Sequence, residues 1–234
     1  MLAARSGYKY FADIIMPNTC AFCEKVIKWD RLLCNECSEN VPDTFDGLIL
    51  IENTNGAVGV FYYEDDIVGL IYKLKHGGAV FNFAELCAGF IAEKLQKRDI
   101  SSSIDIVTSV PMHISKKIVR GRDQAELIAR FTADKLGKPT DLHLLSRKMD
   151  HTEQHKLERD ERRIHAEDVY SAAKKHRDIK GKTILICDDV ITTGSTIRAC
   201  AAQLRSMGAK KVYACSAAVS SVYKDRSNKD SIIP

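Results

Sequence analysis

Two hydrophobic patterns alternate along the chain. Compact apolar runs at 58–62, 104–110, 184–187 and 212–218 are too short for helices, and they read as buried strands. Between them, apolar residues recur every three or four positions. Residues 65–76 place Ile67, Leu70, Ile71 and Leu74 on one helical face, ended by Gly77-Gly78. Residues 83–96 do the same with Leu86, Phe90, Ile91 and Leu95. Asp123-Gln124-Ala125-Glu126 has the spacing of a capping box and opens a third helix, to about Lys135. A fourth helix runs from about Ser195 to Met207, with Gly208 just past its end. Segments 142–146 and 169–170 are candidates for short strands, the second at an edge. Strands separated by helices predict an α/β domain over 56–222, a mostly parallel sheet flanked by helices, with a frayed tail at 223–234.

The first 55 residues follow neither pattern for long. Residues 2–16 fit an amphipathic helix with Tyr8, Phe11 and Ile15 on one face, closed by Pro17, so 1–17 is expected to lie on the main domain, with a membrane or a partner as the alternative. Residues 41–55 are weakly patterned apart from the run 48–51, and read as a connection. In the chain of 234 residues, 45% apolar content is enough for one large domain or a large and a small one. The net charge of +4 permits nucleic-acid contact without arguing for it. Arg5 and Lys9 precede no apolar signal core, and no run approaches membrane-spanning length, so the expected compartment is the cytoplasm.

Cysteine changes the picture between 18 and 45. Cys20-x2-Cys23-x10-Cys34-x2-Cys37 brings two knuckles close enough for tetrahedral Zn²⁺. Four thiolates leave no open position, which favours a structural zinc ribbon; two redox pairs or an iron–sulfur cluster are the alternatives. Such ribbons more often hold partners or nucleic acid than do chemistry. Lys25, Lys28, Trp29 and Arg31 suit either role, with Trp29 and Phe22 as candidate stacking platforms. Cys87, Cys187, Cys200 and Cys215 are scattered in apolar surroundings and read as core residues, with no disulfide assigned.

The chemistry concentrates at 184–196. An apolar strand runs into Asp188-Asp189, and Thr192-Thr193-Gly194-Ser195-Thr196 then turns into a helix. Backbone amides and hydroxyls at the positive end of a helix form a phosphate cradle. Gly194 lets the backbone approach an anion closely. The acids, at the ligand end of the strand, suit sugar hydroxyls or a hydrated cation, and together these features fit a ribose 5-phosphate. The stretch resembles the phosphoribosyl-diphosphate (PRPP) motif of type I phosphoribosyltransferases, D-D-x-x-T-T-G-x-T. That resemblance implies ribose hydroxyls on Asp188 and Asp189 and the 5′-phosphate on Thr192–Thr196. Two further segments are expected nearby. Lys116, Lys117, Arg120 and Arg122, with Gln124, are candidates for diphosphate contacts. The charge-dense stretch 147–168, with Gln154 and Arg162, is a candidate lid.

Taken in order, the ribbon, the helix ending Leu74-Lys75-His76-Gly77-Gly78, the loop Arg120-Gly121-Arg122-Asp123-Gln124, Gln154-x2-Leu157-x3-Glu161-Arg162 and the PRPP motif resemble the ComF family over about residues 10–220. The family pattern R-G-F-N-Q differs at two positions, and His165 stands where Asn follows Glu-Arg in the family. The resemblance implies a phosphoribosyltransferase-like domain behind a zinc ribbon, and a role in DNA uptake and natural transformation. Expected partners are single-stranded DNA and DNA-translocation or recombination proteins. The alternative is an active transferase, in which PRPP, Mg²⁺ and a base or amine give a ribosylated product and diphosphate; no base-recognition element stands out.

Overall fold

The computed structural model describes residues 17–76, 80–113, 123–147, 169–173 and 176–224. The expected helix at 2–16 and the far end of the tail lie outside these residues. Elements follow as α1 (Asn35–Glu39), β1 (Ala57–Tyr62), α2 (Asp65–His76), α3 (Val80–Gln96), β2 (Ile106–Ser109), α4 (Gln124–Leu136), β3 (Leu145–Arg147), β4 (Tyr170–Ala172), β5 (Thr183–Ile191), α5 (Ser195–Ser206) and β6 (Lys211–Val219).

β1, β6, β5 and β2 form a parallel sheet in that spatial order. Side chains of the central strand β5 alternate between two cores, as a two-residue period requires. Leu185 and Cys187 enter the core under α3 and α4, with Ile91, Leu95, Ile128 and Ala133. Ile184 and Ile186 enter the other, with Ile197, Cys200 and Leu204 of α5. Helices therefore cover both faces, which is the expected α/β architecture. Cys87, Cys187, Cys200 and Cys215 are free and buried, as expected of core thiols.

Local signals placed most boundaries. The Asp123 carboxylate caps α4 through the Glu126 amide at 3.2 Å, and Gly137 ends that helix at φ +65°. Three segments differ from expectation. The sequence pattern starts α3 at 83, but the helix begins at Val80. β3 and β4 pair only with each other, antiparallel, as a ribbon beside the sheet. The stretch read as a mere connection is a strap. Thr44 and Ile49 bridge antiparallel to Phe61 and Ala57 of β1, burying Phe45, Ile49 and Ile51 against the α5 side. The buried ammonium of Lys94 holds the strap by the Phe45 carbonyl at 2.6 Å and the Asp46 carboxylate at 2.7 Å. The strap covers an edge strand that would otherwise present unpaired backbone.

The ribbon is also less separate than its composition suggests. Ala21 is buried in the α3–α4 core, and Phe22 packs edge-on against Phe61 (5.9 Å) and near Phe83 (6.3 Å). Phe22 is thus a core contact on one side and half-exposed on the other. Trp29, 38% exposed, keeps an accessible face.

Candidate functional site

β2 stops where the chemistry begins. Val110 donates to the Cys187 carbonyl at 2.9 Å, and Pro111, lacking an N–H, cannot extend the ladder. On its other side β5 stays paired with β6 as far as Ile191. The carboxyl half of β5 therefore projects past β2. With α4 on one face and α5 on the other, this leaves a crevice of about 270 Å³, lined by Lys75, Gln124, Arg147, Tyr170, Asp188, Asp189 and Thr196. The strand was expected to bring the acids to its carboxyl end. It carries both of them, so their side chains leave on opposite faces of the sheet.

On the α2 side, Asp189 receives the Lys75 ammonium at Oδ2 (3.0 Å), while its Oδ1 accepts the Val190 amide at 2.7 Å. Asp188 accepts the Asp189 amide at 2.8 Å and lies on the α5 side, in the field of Tyr170 and Cys200. Burial, and secondarily the neighbouring Asp189 charge, pushes the Asp188 carboxyl well above the ordinary carboxylate range, with Lys75 opposing. Tyr170 is pushed up to about 12, chiefly by burial. Its ring lies 5.8 Å beneath the Arg147 guanidinium, and its hydroxyl bonds the Thr196 side chain.

The loop after β5 enters α5 through Gly194, which is left-handed at φ +76°. A Cβ there would be strained and would stand 3.1 Å from Ile51 Cδ1. Gly194 offers no capping side chain, and the Ser195 amide donates to Thr193 Oγ1 at 3.4 Å; the first i→i−4 bond joins the Arg198 amide to the Gly194 carbonyl at 2.8 Å, so the amides of 196 and 197 precede the helical ladder. Thr192, Thr193 and Ser195 are exposed, and the Tyr223 hydroxyl pins the loop through the Thr192 carbonyl at 3.0 Å. Such a geometry can receive an anion beside acids that can receive hydroxyls.

The structure thus gathers Asp188, Asp189 and Thr196 at one crevice, with 192–195 running between them. It adds Gln124, which is 2% exposed at the start of α4. Lys116, Lys117, Arg120, Arg122, Gln154 and Arg162 lie outside the described residues. Arg147, first residue of the candidate lid stretch, lines the crevice; Lys75 and Tyr170 are crevice residues that sequence reasoning missed. Lys75 reads locally as a cation suited to the carboxyl end of α2, a sufficient reason for it, and nothing local ties it to Asp189.

At the ribbon, the sulfurs of Cys20, Cys23, Cys34 and Cys37 lie within 4.8 Å of one another. Sulfurs about 2.3 Å from one tetrahedral centre stand roughly 3.8 Å apart; Cys23 and Cys34 are 3.8 Å apart. The four side chains can hold one metal ion. The amides of Cys34 and Cys37 donate to the sulfurs of Cys20 and Cys34, both at 3.4 Å. Burial opposes ionisation of Cys20, but amide bonds from Cys23, Cys34 and Phe22 bring it down to about 6. Cys37 is raised, chiefly by burial and then by the adjoining thiols. Metal uptake must displace protons such as the one on Cys37. Among the described residues no helix is long and apolar enough to cross a membrane.

Residues 122–233 match the family model of the phosphoribosyl transferase domain. Competence protein F of Haemophilus influenzae is 23% identical over 82% of this chain and 81% of its own length. The DNA utilization protein YhgH of Escherichia coli K12 is 26% identical over 82% and 86%. A ribose-phosphate pyrophosphokinase of Nostoc is 46% identical over 24% of this chain, though only 17% of its own length. Among solved structures, the glutamine PRPP amidotransferase of B. subtilis aligns at 23% identity and a TM-score of 0.41. It covers 58% of this chain, which spans 26% of that one.

Proposed function

The chain belongs to the ComF family, with a four-cysteine cluster ahead of a phosphoribosyltransferase-like domain, and from that premise we propose that it serves DNA uptake through a pocket for PRPP or a related ribose 5-phosphate. The observation that carries the reading is the juxtaposition at the end of β5: two carboxylates in a crevice, followed at once by the exposed residues Thr192, Thr193 and Ser195 and by the start of α5. In this reading Asp188 and Asp189 take the sugar hydroxyls, and residues 192–196 take the 5-phosphate. Mg²⁺, carried mainly on the ligand's own oxygens, neutralises the diphosphate when it is bound. The ribbon's metal is zinc in a structural role, because four thiolates close the coordination sphere. Eight free cysteines suit a reducing cytoplasm.

PRPP with Mg²⁺ at about a hundred times its Kd should raise the melting temperature by about 5–10 °C. Asp188→Ala combined with Asp189→Ala should abolish the shift; a double variant that responds like the parent refutes the site. The second reading, an active transferase, rests on the same crevice, where holding the ribose phosphate and an incoming nucleophile in line would supply most of the catalysis. Diphosphate release across a panel of bases and amines distinguishes the two. Background release with every nucleophile is expected; turnover with any one makes the chain an enzyme.

For the DNA role, the exposed ribbon face with Lys25, Lys28, Trp29 and Arg31 supplies the described contacts, and DNA-translocation proteins are the protein partners proposed. Affinity for single-stranded DNA should fall steeply with salt, about 0.7 decades per decade of salt for each phosphate neutralised. A flat salt response would remove DNA from the proposal.

A further inference from the structure

Lys75 stands on the carboxylate that the proposed ligand needs. Its ammonium lies 3.0 Å from Asp189 Oδ2, while the Val190 amide takes the other oxygen. Both side chains are mostly buried, 26% and 20% exposed, and both line the crevice, so solvent screens the pair only in part. A sugar hydroxyl approaching Asp189 therefore finds one oxygen held by the ammonium and the other by an amide, and has to share an oxygen with one of them or displace the ammonium. A neutral hydroxyl is a weaker partner for a carboxylate than a cation is, so displacement without a new anion for Lys75 is unfavourable. An ammonium on a flexible four-carbon stem can move to a phosphoryl oxygen delivered by the same ligand. Lys75 is placed to do so: it lies in the last turn of α2, on the sheet face toward which Asp189 points. The other cation among the described residues lining the crevice, Arg147, is on β3, over the Tyr170 ring.

Resting on the pentose-phosphate reading above, we propose that Lys75 is a specificity-determining residue. It masks Asp189 in the free protein and yields it only to a ligand carrying a second phosphoryl group on the sugar. Lys75 thereby selects a pentose phosphate diphosphate over a pentose monophosphate. The selection needs no contact with the rest of the ligand. An ammonium exchanged from carboxylate to phosphoryl oxygen keeps a charged partner throughout, whereas one expelled by a monophosphate loses it.

The test compares PRPP and ribose 5-phosphate, each titrated at one fixed Mg²⁺ concentration into the full chain and its variants. The parent protein should prefer PRPP. Lys75→Met should weaken PRPP about tenfold, the scale of one charge-assisted hydrogen bond. The same change should leave ribose 5-phosphate unweakened or tightened, because Asp189 is unmasked. Lys75→Arg, which keeps the charge, should retain the preference. Equal weakening of both ligands in Lys75→Met overturns the inference, as does loss of the preference in a folded Lys75→Arg. A parent protein that binds neither ligand fails at the earlier step, and takes the pocket itself with it.

Discussion

Asp188→Asn should stabilise the free protein at pH 8 while abolishing its response to PRPP. The Asp188 carboxyl is held well above the ordinary carboxylate range, first by burial and then by Asp189. A carboxyl raised in the folded state binds its proton more tightly there than in the unfolded chain. Its contribution to stability is therefore complete below the unfolded value, near 4, and is lost as pH rises through the folded value. Above that, the native state bears the cost of a half-buried charge beside another, offset in part by Lys75. Asparagine removes the charge and can still accept the Asp189 amide, which lies 2.8 Å from the carboxylate. The melting temperature should rise by about 2–4 °C for each kcal/mol recovered. The gain should grow from about pH 4 to pH 8 and vanish at the acid end, where both states are protonated. Ligand binding should fail because an amide replaces the anionic acceptor facing the sugar. A pH-independent gain, or none, would show that the charge is not strained. The same expectation explains why a fold would keep such a residue: a site that needs two adjacent carboxylates has to tolerate their repulsion when empty.

Stripping the ribbon metal should lower the melting temperature of the whole chain by about 10 °C or more, with zinc restoring it. Structural zinc contributes folding free energy outright. Here the loss would not stay local, because Ala21 sits in the α3–α4 core and Phe22 against Phe61 and Phe83. Phe22→Ala separates packing from ligation. It should cost up to about 3 kcal/mol, at the low end of the range for aromatic truncation because Phe22 is only partly buried, and leave one zinc per chain. A chelated protein that melts like the holo form, with the metal verified absent, would mean that the ribbon contributes nothing to the main core. Metal analysis and calorimetry on the same samples decide between these outcomes.

Legibility followed chain distance. The zinc knuckles and the D-D-x-x-T-T-G-x-T stretch were readable because each places its functional groups within a few bonds of one another, so spacing alone constrains geometry. The capping box at Asp123 is of the same kind. The α/β architecture followed from hydrophobic period, since each strand and helix reports its own burial. The strap at 44–49 was not readable. Its pairing with β1 is made by backbone atoms, and Lys94, which holds it, reaches across from a separate helix. The ribbon's union with the core was hidden too, because one aromatic between two cysteines looks the same whether it faces solvent or Phe61.

Sequence by itself determined the sheet-and-helix order, the four-thiol cluster and the acid–turn–helix segment. It also put Asp188 and Asp189 at the carboxyl end of one strand. Tertiary structure alone decided what each meets: Lys75 beside Asp189 on the α2 side, Tyr170 and Cys200 around Asp188 on the other. The reason is physical. Backbone geometry sets direction within one element, but charge and burial at a side chain depend on which distant element the folded sheet brings against that face.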